Sequence, residues 1–143
     1  STVKIKLTKA DDAFHFKAFN ETGKSINIDA SPDIGGSNKG VRPMEMLLMA
    51  LAGCSGIDIN LILKKQRQVI ENFDILVEGD REQEKEASLF KKIHIRFLFH
   101  GKLDEAKVKR AVSLSMDKYC SVSKTLEKTA EITYSIELNE TLL

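Results

Sequence analysis

The stretch "LMALAGCSGIDINLILKK", Leu48 to Lys65, decides how this chain is read. Just before it, Pro43 suits the first turn of a helix, because its missing N–H would be unpaired there. The pattern predicts a helix from Met44 to about Arg67. Its middle is apolar nearly all round, which places it in an interior, packed on more than one side. Met44 to Leu63 could pass for a membrane span, but Glu45, Asp58 and Asn60 interrupt the run and strand-like segments flank it, so no membrane is expected. One cysteine, Cys54, sits in this tract between Gly53, Ser55 and Gly56. The only other, Cys120, lies sixty-six positions later in "DKYCSVSK".

Working outward, three short segments with two-residue alternation precede the helix: "VKIKL" with Val3, Ile5 and Leu7 on one face, "FHFKAF", and "SINID". They predict an antiparallel meander with one apolar face that needs a cover. "SPDIGGSNKG", Ser31 to Gly40, is glycine-rich but lacks the Gly-Lys-Ser/Thr ending of a phosphate-binding loop, and reads as a flexible connector. After the helix, "FDILVEG" and "FKKIHIRFLF" read as strands. In the second, Ile93, Ile95, Phe97 and Phe99 face one way and His94, Arg96 and Leu98 the other. Asp104 caps the next predicted helix, with Leu103 and Val108 placed as a hydrophobic staple. Val108, Ala111, Val112, Ser115 and Tyr119 form its expected inward stripe. "SVSKTLEK" then predicts one or two helical turns and "EITYSIEL" a last strand. The order β-β-β-α-β-β-α-β argues for an α+β fold in one domain, residues 1–143.

With 42% hydrophobic and 30% charged residues, the composition is that of a soluble globular chain rather than a disordered one. A net charge of +1 gives no overall field for nucleic acid. "KVKR", Lys107 to Arg110, is basic but shares its helix with Asp104 and Glu105, as a solvated face does. The alternation of "VKIKL" is that of a strand and not of a signal-peptide core, which points to the cytoplasm. Two cysteines in such a compartment are mostly thiols, so a disulfide between them would be chemical rather than architectural.

A cysteine becomes a nucleophile only as its thiolate, which burial disfavours and a nearby cation favours. The small neighbours of Cys54 leave room for an approach to its sulfur, although a plain core cysteine uses the same slot. Cys120 stands where an amphipathic helix gives way to serines, so it is expected to meet solvent more than Cys54. If the sulfurs met, a sulfenic acid on one could condense with the other to a disulfide, which is thiol peroxidase chemistry. His15, His94 and His100 have no metal spacing and there is no Cys-x-x-Cys, so no metal is expected. "GCSGI" lacks the Gly-x-Ser-x-Gly of a nucleophile elbow.

"RPMEMLLMALAGC" ending at Cys54, "DKYCSVS" around Cys120 and the order of elements resemble the osmotically inducible protein C and organic hydroperoxide resistance family over essentially the whole chain. The resemblance implies reduction of organic hydroperoxides without metal or organic cofactor, with Cys54 as the attacking thiolate, Cys120 as the resolving thiol and an external dithiol as reductant. It implies an intertwined homodimer whose two central helices are wrapped by antiparallel sheets from both chains, and an apolar approach to Cys54 lined by residues such as Met44, Leu48 and Leu51. Family peroxidases stabilise the thiolate with an arginine from the N-terminal strand region, oriented by a glutamate directly after the proline. Here residues 1–41 hold no arginine, and Met44 follows Pro43. Glu45 lies about 180° around the helix from Cys54. Arg42 is the nearest arginine in sequence, and reaches Cys54 only if its loop folds over or comes from a partner subunit; Lys4, Lys6 or Lys17 could serve as a point charge instead. The alternative is a member of the same fold that binds a small apolar or electrophilic molecule, its thiols acting as a sensor.

Overall fold

The computed structural model describes all 143 residues, and they divide into two compact units, Ser1–Leu47 and Leu48–Leu143. The first unit carries the antiparallel meander: β1 (Lys6–Lys9), β2 (Phe16–Phe19) and β3 (Ser25–Ile28). The strands start later than the alternation suggests, and Val3 and Ile5 precede β1 as exposed residues. On the rung Leu7, Ala18, Ile26, the outer two side chains are 55% and 50% exposed, so the apolar face lacks a complete cover within the chain.

Ser31 to Gly40 is not the loose connector its glycines suggest. A 3-10 turn spans Pro32–Ile34, and the buried Asp29 carboxylate accepts backbone N–H groups from Ala30, Ser37 and Lys39 at 2.7, 3.2 and 3.0 Å. The Lys39 N–H leads in holding this carboxyl below the usual carboxylate range. Glycine is needed where the loop doubles back: a Cβ on Gly36 would lie 2.0 Å from the Ala30 carbonyl oxygen. Composition reports chain entropy, whereas a buried carboxylate with three donors overrides it.

Helix α1 spans Pro43–Lys65, with proline at its first position as expected. Glu45 reaches back to accept the Arg42 backbone N–H at 2.8 Å, the glutamate half of a capping box. Only Leu51, Ser55, Ile59 and Leu63 are buried, one residue per turn. The expectation of a helix packed on more than one side is therefore met only in part within one chain, where most of the helix surface outside this stripe stays open. Met49 is 53% and Ile57 72% exposed, and Leu47 and Leu61 are also exposed.

The second sheet is built from β4 (Asn72–Arg81), β5 (Phe90–His100), β6 (Glu131–Leu138) and β7 (Thr141–Leu142), in that order. Its inward face is the alternating set read from the sequence. Ile93, Ile95, Phe97 and Phe99 are buried, and each contributes roughly 1.5–3 kcal/mol on leaving water. Rungs such as Ile75, Phe97, Ile136 align these residues across three strands, and Phe73 stacks on Phe99 at 4.3 Å. α1 settles onto this face near two glycines: a Cβ on Gly56 would meet Ile75 at 3.0 Å, and one on Gly79 would meet Phe90 at 2.7 Å and Leu48 at 3.2 Å.

The sheet is mixed rather than wholly antiparallel, because β5 and β6 run parallel. A parallel pair cannot be joined by a hairpin, and the chain returns through a helical crossover. That crossover comprises α2 (Glu105–Leu114), a π turn (Ser115–Tyr119) and α3 (Ser121–Leu126). Asp104 caps α2 as predicted, accepting the Lys107 N–H at 2.9 Å.

Candidate functional site

Both cysteines belong to the second unit, and the fold brings them together. The Cys54 and Cys120 sulfurs and an Asp58 carboxylate oxygen lie within 4.8 Å of one another. Cys54 and Asp58 are four residues apart on α1, which puts them on one face. Cys120 arrives from the crossover, where the π turn decides its direction. The Cys120 N–H donates to the Ser115 carbonyl, five residues back, at 2.8 Å. The widened turn admits Met116 and Cys120 to the interior and turns out Tyr119, which is 50% exposed. The stripe expected from an unbroken α-helix thus holds for Val108, Ala111, Val112 and Ser115 and fails at Tyr119. π turns of this kind are frequent at functional sites.

The relative exposure of the thiols is the reverse of the expectation. Cys120 is wholly buried and Cys54 half-buried. Next to Cys54, a Cβ on Gly53 would meet nothing within 4 Å, so the helix surface at that neighbouring position is open. Cys120 caps α3, its sulfur accepting the Ser123 N–H at 3.3 Å. Burial pushes the Cys120 thiol up to about 11; the Ser123 N–H works against this, and neighbouring Cys54 and Asp58 add to it.

Asp58 carries no motif signal and enters the sequence reading only as a charge that breaks an apolar run. Its spacing from Cys54 was the available clue. Ser115 places it, donating its hydroxyl to Oδ2 at 3.1 Å from the first position of the π turn. Two thiols and a carboxylate could hold a zinc ion with water in the fourth position. The set is invisible to spacing rules because its members come from two elements. A metal would have to displace the Cys120 proton, which burial holds firmly.

Beside Asp58 a cleft of about 480 Å³ is lined by Leu61, Ile62, Lys65, Gln66, Leu114 and Tyr119. Among the residues expected to line an apolar approach, Leu51 is fully buried in the core and Leu48 lies close to Gly79. Met44 and Arg42 belong to the first unit. The Arg42 guanidinium hydrogen-bonds the Asp29 carbonyl at 3.3 Å, the Gly40 carbonyl at 3.2 Å and the Asn38 side chain, so it ties down the ordered loop.

Protein YhfA of Escherichia coli (strain K12) is 43% identical over 118 residues, covering 82% of this chain and 84% of its own. A hypothetical protein from Aquifex aeolicus VF5 is 31% identical, with a TM-score of 0.79 over 98% of this chain and 99% of its own. An organic hydroperoxide resistance protein OsmC from Legionella pneumophila shares the fold with a TM-score of 0.70 over 96% of this chain and 97% of its own, at 15% identity. The model of the OsmC-like protein family matches residues 36–135, which take in both cysteines, the π turn and most of β6. The chain belongs to the OsmC-like protein family.

Proposed function

We propose that the protein is a cytoplasmic thiol peroxidase that reduces organic hydroperoxides through Cys54 and Cys120, with residues 1–143 working as one OsmC-like domain. The observation that carries the reading is the unequal exposure of two neighbouring thiols: Cys54 is half-buried and Cys120 wholly buried, with the sulfurs within 4.8 Å of each other. Cys54 attacks the distal peroxide oxygen, the alcohol leaves, and Cys54 is left as a sulfenic acid. Cys120 then displaces water and forms the disulfide, which arrests oxidation before it becomes irreversible. An external dithiol restores both thiols by exchange. The apolar side chains of the cleft beside Asp58, among them Leu61 and Ile62, support a preference for lipid-like or aromatic hydroperoxides over hydrogen peroxide.

The working unit in this reading is a homodimer. A 23-residue helix with exposed Leu47, Met49, Ile57 and Leu61 is unfavourable in water, and a second copy of the same helix supplies the cover. In this reading a thiolate-stabilising role for Arg42, from either subunit, requires its guanidinium to leave the Asp29 and Gly40 carbonyls.

The experiment is addition of cumene hydroperoxide to the reduced protein near neutral pH, with mass spectrometry following a Cys54–Cys120 disulfide and Cys54→Ser as control. Fast oxidation that vanishes in the variant supports the peroxidase. Labelling by electrophiles without any peroxide turnover would favour the ligand-binding alternative.

A further inference from the structure

We propose that Asp58 is a catalytic proton carrier shared by the two thiols, and that Ser115 is the positioning residue that aims it. The inference rests on the peroxidase reading of the same site and concerns how that reaction moves its protons.

Three observations carry it. The Asp58 carboxylate is one helical turn from Cys54 and within 4.8 Å of both sulfurs, so a single group reaches both reacting atoms. Its orientation is set by the Ser115 hydroxyl at 3.1 Å, from an element other than its own. It also lines the 480 Å³ cleft. Electrostatics sharpens the point. An anion beside a thiol opposes formation of the thiolate, so a carboxylate that did nothing but sit there would slow the reaction. Its presence is useful only if it takes the proton and returns it, as an oriented general acid–base does.

The balance closes over both half-reactions. Asp58 accepts the Cys54 thiol proton. The sulfur attacks the distal oxygen of R–O–O–H, an S–O bond forms as the O–O bond breaks, and the departing alkoxide takes the proton from Asp58 and leaves as alcohol. Sulfur is oxidised by two electrons and the peroxide reduced by two. Asp58, again ionised, accepts the Cys120 proton. The S–S bond forms, the S–O bond breaks, and hydroxide takes that proton and leaves as water.

The test compares two electrophiles on the reduced protein by stopped flow across neutral pH. Iodoacetamide releases iodide, which needs no proton, whereas cumene hydroperoxide releases an alkoxide, which does. In Asp58→Asn the ratio of peroxide rate to alkylation rate at Cys54 should fall at least about tenfold. Alkylation itself should stay level or rise, because an anion has been removed, and the sulfenic acid should live long enough to be trapped by dimedone. Ser115→Ala should lower the same ratio by a smaller factor and Ser115→Thr restore it, which keeps the test open if Asp58→Asn does not fold. An unchanged ratio in the folded variants overturns the assignment and leaves the peroxidase standing. A wild-type protein that alkylates normally yet reacts with peroxide no faster than free cysteine overturns the peroxidase reading, and this assignment with it.

Discussion

The backbone N–H of Cys120 meets the carbonyl of Ser115 at 2.8 Å across five residues instead of four. That one extra residue in the turn separates the fates of neighbouring side chains. Met116 is buried and Tyr119 is half exposed, opposite to what an unbroken α-helix would give Tyr119. Met116→Ala should therefore destabilise the protein by roughly 2–5 kcal/mol, while Tyr119→Ala should stay within about 0.5 kcal/mol of the parent. Urea titration of both variants checks this. Equal losses would place Tyr119 in the core.

The Cys120 thiol gives stability a definite pH window. Its value in the folded protein is pushed up to about 11, whereas a free cysteine titrates near 8.5. The thiol's contribution is complete below about 8.5 and is lost as pH rises toward about 11, because only the unfolded chain releases its proton in that interval. Thermal melts of the reduced protein should show a decline over that range that is shallower in Cys120→Ser. A variant as steep as the parent would show that other groups carry the decline.

Ile57, the most exposed apolar residue of α1, tests the dimer. Ile57→Glu would bury a carboxylate against apolar neighbours in a paired helix but would meet only water in a lone one. Light scattering at micromolar concentration should find the parent as a dimer and the variant shifted to monomer, with the secondary structure retained. A monomeric parent would remove the assembly from the proposal.

Gly36 tests the ordered loop. An alanine there must displace the Ala30 carbonyl, since its Cβ would lie 2.0 Å from the oxygen. Gly36→Ala should lower the melting temperature clearly, while Gly23→Asn, at φ 81 with open space around it, should change it little. Comparable losses would mean that the packing around Asp29 adds nothing.

Much of the secondary structure was legible from alternation and capping signals. β6 occupies the segment whose alternation predicts a strand, α1 starts within a residue of the predicted helix, and Asp104 caps α2. Strand direction was not legible, because alternation marks which face a side chain takes and says nothing about which way the neighbour runs. Hence the parallel β5–β6 pair came from the structure. At the site the two cysteines were visible as residue types. Their relative burial was not, since it hangs on one π turn that propensity does not encode. Asp58 was hidden for a similar reason: a charge in an apolar helix reads as an interruption until its neighbours from another element are known.

The parallel pairing also sets an order of events. Cys54 leaves the ribosome sixty-six residues ahead of Cys120, and β6, whose pairing with β5 secures the far end of the crossover, comes later still. A nascent chain thus carries a solitary thiol over that interval, and its partner is locked beside it only when β6 joins the sheet. The juxtaposition of the two sulfurs depends on that late pairing, and a truncated product ending before Glu131 would expose the sulfurs without the clasp that holds them together.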